Sequence, residues 1–97
     1  MSGTGQPVGA MVLHPDDDVA VLVGPVEAGG AVETRGACPG LVLRAAGALP
    51  AGHKLALRSL AEGSDVRKYG EVIGRLTRPV AAGDHVHIHN LASLRGL

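Results

Sequence analysis

Apolar positions in this chain come in short alternating groups, and no window sustains a long 3.6-residue stripe. In AMVLHPDDDVAVLV (10–23), residues 11–13 predict a strand, HPDD a turn, and residues 19–23 the returning strand. The two-residue period of a strand puts Val19, Val21 and Val23 on one face. A loose template follows: an apolar residue, glycine three places on, and another apolar residue three places further. It occurs as Val26–Gly29–Val32, Leu49–Gly52–Leu55, Leu60–Gly63–Val66 and Val80–Gly83–Val86. Each glycine is expected to supply a positive φ between an incoming apolar anchor and an outgoing strand. The steps between these glycines are 23, 11 and 20 residues, too irregular for a solenoid. The outgoing strands are AVET, HKLAL, VRKYG and HVHIH, and LVLRA (41–45) and EVIGRL (71–76) add two more. One short helical turn is expected at LRSLAEG (57–63), where Leu57 and Leu60 stand three apart. The pattern therefore predicts a compact, strongly bent, mostly β fold with short strands and at most one or two short helical turns.

Composition narrows this picture. The 97 residues make one domain, and a chain of this size buries roughly 65% of its unfolded surface. Little room remains for an enclosed site, so chemistry here is expected to need a second surface from another chain or another copy. Phe and Trp are absent and Tyr69 is the single aromatic residue, so Val and Leu must fill the core. Nine basic and nine acidic side chains cancel, which leaves no footprint for a polyanion. Nucleic acid is not an expected partner, because stacking platforms are missing as well. Cys38 is alone and reads as a buried, inert thiol. Residues 1–9 read as a flexible tail and 10–97 as the domain. No signal peptide or membrane span is legible, and a reducing cytoplasm is the expected compartment.

GDHVHIHN (83–90) places His85, His87 and His89 at every second position. On a strand all three project from one face, with Val86, Ile88 and Asn90 on the other. Neighbouring imidazoles can converge on a cation or exchange protons; the bland alternative is a solvated strand face with Val86 and Ile88 inward. In Gly52-His53-Lys54 a lysine after a tight turn can hold a substrate carboxylate or, if desolvated, accept a proton, or it is a plain surface lysine. In Lys68-Tyr69-Gly70 the lysine is a second candidate carboxylate partner, and the tyrosine is expected to pack in the core or an interface. Asp84 is expected to tighten the turn before the histidines. HPDDD (14–18) lacks the further oxygens of a calcium loop and reads as a turn. Ser59, Ser64 and Ser93 have no nucleophile-elbow setting.

Three motifs in order resemble one family: Gly52-His53-Lys54, then Lys68-Tyr69-Gly70 with Ile73-Gly74, then Gly83-Asp84 with Val86-His87-Ile88-His89-Asn90. The chain resembles the SAF domain of altronate and galactarate dehydratases, and is similar to the alpha subunit of sulfolactate sulfo-lyase. The resemblance spans roughly residues 10–97 and implies a β-clip fold. It implies a lyase that eliminates water from an α-hydroxy sugar acid, with His87, His89 and Lys54 as catalytic candidates. Lys54, Lys68, Asn90 and His53 become candidate substrate contacts, and His87 and His89 candidate metal ligands. It also implies an iron or manganese ion, held mainly by a large catalytic subunit that this chain partners as a small subunit. Two readings stay open beside it: a sulfolactate sulfo-lyase small subunit, and a non-catalytic SAF binding or chaperone-like module. Self-pairing of edge strands into a homo-oligomer is open as well.

Overall fold

The computed structural model describes residues 6–93. Nine strands form: β1 (Val8–Val12), β2 (Val19–Leu22), β3 (Ala31–Gly36), β4 (Val42–Arg44), β5 (Lys54–Ala56), β6 (Asp65–Lys68), β7 (Glu71–Leu76), β8 (His85–Val86) and β9 (Leu91–Ser93). Six of them make one sheet in the order β4-β3-β1-β2-β5-β8, and β6-β7-β9 make another. β1 and β3 run parallel, whereas every other strand pair is antiparallel. The fold is mostly β, with no helix among the described residues. β1 begins at Val8, two residues inside the expected tail, because Val8 and Gly9 pair with Val32 and Glu33. Residues 1–5 of that tail, and 94–97 of the expected domain, lie outside the described residues.

The corner template organises the fold. Its four glycines have φ of +76° (Gly29), +89° (Gly52), +86° (Gly63) and +91° (Gly83). Each glycine N–H donates to a carbonyl on another segment: Ala45, Leu22, Leu76 and Ala56 in turn. The apolar anchors then pair two by two, Val26 with Leu49 and Leu60 with Val80, in isolated antiparallel bridges. Val26 and Leu49 join a core with Ala10, Val12, Ala20, Leu22, Val32, Leu43 and Leu55. Leu60 and Val80 join a second core with Val19, Ala56, Val66, Leu76 and Val86. Full burial of one such Leu or Val stabilises by about 1.5–3 kcal/mol, so two small aliphatic cores replace the missing aromatic one.

Three local expectations are corrected and a fourth is narrowed. No helical turn forms over 57–63: Leu57 is buried in the first core, Leu60 bridges to Val80, and Gly63 turns the corner. The returning strand stops at Leu22, one residue short of the expected 19–23, so Val23 lies beyond it. Ala20 and Leu22 face the first core and Val19 the second, and Val23 is 59% exposed. The histidine strand stops at Val86, and residues 87–90 form a turn that leaves Ile88 82% exposed instead of inward. Of the two places expected for Tyr69, core or interface, the core is ruled out, since the residue is 65% exposed.

Candidate functional site

β5 and β8 are antiparallel neighbours with Leu55 opposite His85 and Lys54 opposite Val86. Carried one step further, that register sets His53, just before β5, beside His87, just after β8. The chain then turns back through 87–90, where Asn90 fixes the geometry. Its N–H donates to the His87 carbonyl (3.0 Å), its Oδ1 accepts from the His87 N–H (2.9 Å), and its Nδ2 donates to the His85 carbonyl (2.8 Å). Asn90 is buried, so its amide holds the turn from beneath. Asp84 does what the sequence suggests, accepting from the Ala81 N–H at 2.8 Å in the turn that delivers His85.

The turn gathers four imidazoles. His53 Nδ1 and His85 Nε2 lie 2.9 Å apart in a hydrogen bond. The His85 and His87 rings stack with centroids 5.2 Å apart, and the His53 ring is 5.5 Å from that of His87. His89 is exposed, its ring 5.2 Å from His85 and 6.4 Å from His87. The ligand-capable nitrogens of His53, His85 and His87 all lie within 4.8 Å of one another. The tighter grouping thus runs through His53 and His85 and leaves out His89 of the expected His87 and His89 pair. Sequence spacing could not show this, since His53 and His85 are 32 residues apart.

Lysines border the cluster. Burial lowers the Lys54 pKa, and the Lys68 charge lowers it further. The His85 pKa is lowered first by burial, then by His53, His87, His89 and Lys54. Lys54 directly follows His53 in the chain, so an ammonium and four imidazoles come from two segments, 53–54 and 85–89. Such a cluster suits an anionic group. Its imidazole donors, without a carboxylate in the group of three, suit ferrous iron, zinc, nickel or copper better than manganese.

The second motif is built by HPDDD. Asp17 and Asp18 are buried carboxylates. Asp17 accepts from the N–H groups of Tyr69 (3.0 Å) and Gly70 (2.8 Å). Asp18 accepts from the Arg67 N–H (2.8 Å) and from the Arg58 guanidinium. This clamp holds Tyr69 at φ +58°, the one non-glycine positive φ among the described residues. Lys68 Nζ stands 5.6 Å from the centre of the exposed Tyr69 ring. A hollow of about 410 Å³ beside them is lined by Lys68, Tyr69, Glu71, Val72, Ile73 and Ser93 and by none of the imidazoles. The imidazoles lie outside this hollow, with His53, His85 and His87 half-buried and His89 exposed.

The sequence profile of the altronate/galactarate dehydratase SAF domain matches residues 8–94. A (2R)-sulfolactate sulfo-lyase subunit alpha from Chromohalobacter salexigens is 50% identical over 48 residues, which are 50% of this chain and 51% of that one. Its counterpart from Paracoccus pantotrophus is 45% identical over 47 residues, 48% of this chain and 70% of that one. The altronate dehydratase of Bacillus subtilis is 28% identical over 78 residues, 80% of this chain but 15% of the enzyme. The chain thus spans about half of the first sulfo-lyase subunit and a small part of the dehydratase.

Proposed function

Because the chain belongs to the altronate/galactarate dehydratase SAF domain family, we propose that it is the small-subunit module of a sugar-acid dehydratase, working with a larger catalytic subunit on an α-hydroxy acid. The observation that carries this reading is the cluster of His53, His85, His87 and His89, with Lys54 next to His53 in the chain. The substrate carboxylate binds Lys54, with Lys68 behind it. Each ammonium presents three N–H donors to carboxylate oxygens. Lys54, already disfavoured as a cation by burial and by Lys68, gains most when a carboxylate arrives.

Elimination removes a proton from the carbon beside the carboxylate and expels the β-hydroxyl as water. The pair His87 and His89 handles protons in this cluster: an imidazole near neutrality can take one and return one to the leaving hydroxyl. His53 contacts substrate or orients His85 through their shared hydrogen bond. Asn90 acts on substrate indirectly, through the turn its amide holds. Lys54 and Lys68 offset the negative charge that grows on the carboxylate as the neighbouring carbon loses its proton. A divalent ion held mainly by the larger subunit, iron or manganese in this reading, would supply Lewis acidity when bound. The partly exposed cluster supports a two-surface site, since a second protein must cover it to exclude water.

The two sulfo-lyase subunits favour a second reading, in which the same cluster serves (2R)-sulfolactate and the leaving group is sulfite. Both substrates present a carboxylate beside a carbon-bound hydroxyl, so Lys54 serves either. The chain, combined with its larger partner, should be offered altronate, galactarate and (2R)-sulfolactate. A 2-keto acid formed from altronate or galactarate supports the dehydratase, sulfite released together with pyruvate from (2R)-sulfolactate supports the sulfo-lyase, and inertness toward all three overturns both.

A further inference from the structure

We propose that His53, His85 and His87 form a transition-metal site on this chain itself, one that takes imidazole-loving divalent ions such as Zn²⁺, Co²⁺ or Ni²⁺ and rejects Mg²⁺, Ca²⁺ and Mn²⁺. Three observations carry it. First, the candidate nitrogens lie within 4.8 Å of one another. Ion–nitrogen distances of about 2.0–2.1 Å place tetrahedral ligands about 3.3 Å apart, so small side-chain rotations close the group around an ion. Second, His53 Nδ1 and His85 Nε2 already share one hydrogen at 2.9 Å. Two ring nitrogens aimed at each other across a hydrogen bond are aimed at one point between them, and an ion can replace the shared proton there.

Third, the frame is fixed before any ion arrives. His85 is in β8, His53 directly precedes β5, and these strands are paired. His87 opens the turn that the buried Asn90 amide locks through the His85 carbonyl and the His87 N–H. This is the kind of supporting shell that orients ligands in metal proteins. The donor set decides the ion. Imidazole favours zinc, cobalt, nickel and copper, whereas magnesium, calcium and manganese favour oxygen. Three protein ligands leave coordination open for water or an anion. The exposed His89 ring stands 5.2 Å from that of His85 and can reach that open position.

The test uses the full chain, free of any affinity tag and stripped with a chelator, titrated with Co²⁺ as the probe. We expect one Co²⁺ per chain, with visible ligand-field absorption. His53→Ala and His85→Ala should each weaken binding at least about tenfold, and Asn90→Ala by about 10–100-fold. His14→Ala, at a histidine outside the cluster, should bind like the wild type. Zn²⁺ should displace the Co²⁺ and a hundredfold excess of Mn²⁺ should not. Thermal melts of the variants confirm folding, and the Zn²⁺ and Mn²⁺ competition on the unaltered chain stands even if a variant fails to fold. Binding unchanged in His53→Ala and His85→Ala, displacement by Mn²⁺, or no Co²⁺ absorption in the wild type would each overturn the proposal. No substrate or larger subunit enters the experiment, so its outcome is separable from the fate of the dehydratase reading.

Discussion

Gly52 and Gly83 turn equivalent corners at nearly the same φ, +89° and +91°, in opposite surroundings. A Cβ on Gly52 would meet nothing within 4 Å, whereas one on Gly83 would run into the Arg44 carbonyl. Gly52→Ala should therefore cost only the left-handed strain, about 1 kcal/mol. Gly83→Ala should cost about 3 kcal/mol or more, since backbone must move as well. Urea unfolding of the two variants checks the ranking. His85 gives a second prediction at this scale. Its folded pKa lies below the usual 6.5 through burial and through His53, His87, His89 and Lys54. Between the two values the unfolded chain binds more protons, so stability rises with pH across that window and is lost as pH falls below about 6.5. In chelator-treated buffer the melting temperature should drop between pH 7.5 and 5, and less steeply in His85→Gln. The corner glycines were legible in the sequence because only glycine enters a positive φ freely and the three-residue spacing repeats. The part played by His53 was not, because a lone histidine after a glycine carries no sign of a partner 32 residues away.

The β6–β7 hairpin depends on a different segment. Its turn places the unbranched but bulky Tyr69 at φ +58°, and the Asp17 carboxylate holds that turn through two backbone N–H groups. Hydrogen bonds to a buried charge are worth about 1.5–3 kcal/mol each, enough to offset a left-handed tyrosine at about 1–3 kcal/mol. Asp17→Ala should accordingly destabilise by about 2–4 kcal/mol. It should also speed amide exchange most at Tyr69 and Gly70, measured by hydrogen–deuterium exchange. The strands were largely legible from period and turn residues, since eight of the expected segments became strands near their predicted places. Two elements were misread for a common reason. At 57–63 the leucine spacing suggested a helix, and at 85–89 the alternation suggested one long strand. Long-range partners, Val80 for Leu60 and the Asn90 amide for the His87 backbone, decided both. HPDDD was legible as a turn, but its carboxylates clamp a hairpin some 50 residues on.

Across the molecule, charge balance hides an uneven distribution. Nine positive and nine negative side chains cancel, yet four imidazoles converge in one cluster next to the chain position of Lys54. The buried carboxylates Asp17 and Asp18 are engaged with backbone N–H groups and Arg58. No composition count could expose that arrangement, because it arises only when β5 and β8 pair and the chain reverses at Asn90. The cluster is partly exposed, and the hollow beside Lys68 and Tyr69 holds none of its imidazoles. The most direct measurement is turnover by the chain reconstituted with its larger partner, comparing the unaltered protein with Lys54→Ala, His87→Ala and His89→Ala. The account predicts that each substitution leaves the module folded and that Lys54→Ala and at least one of the histidine variants lower kcat/KM by about 10²-fold or more. Turnover that survives all three substitutions intact would contradict it.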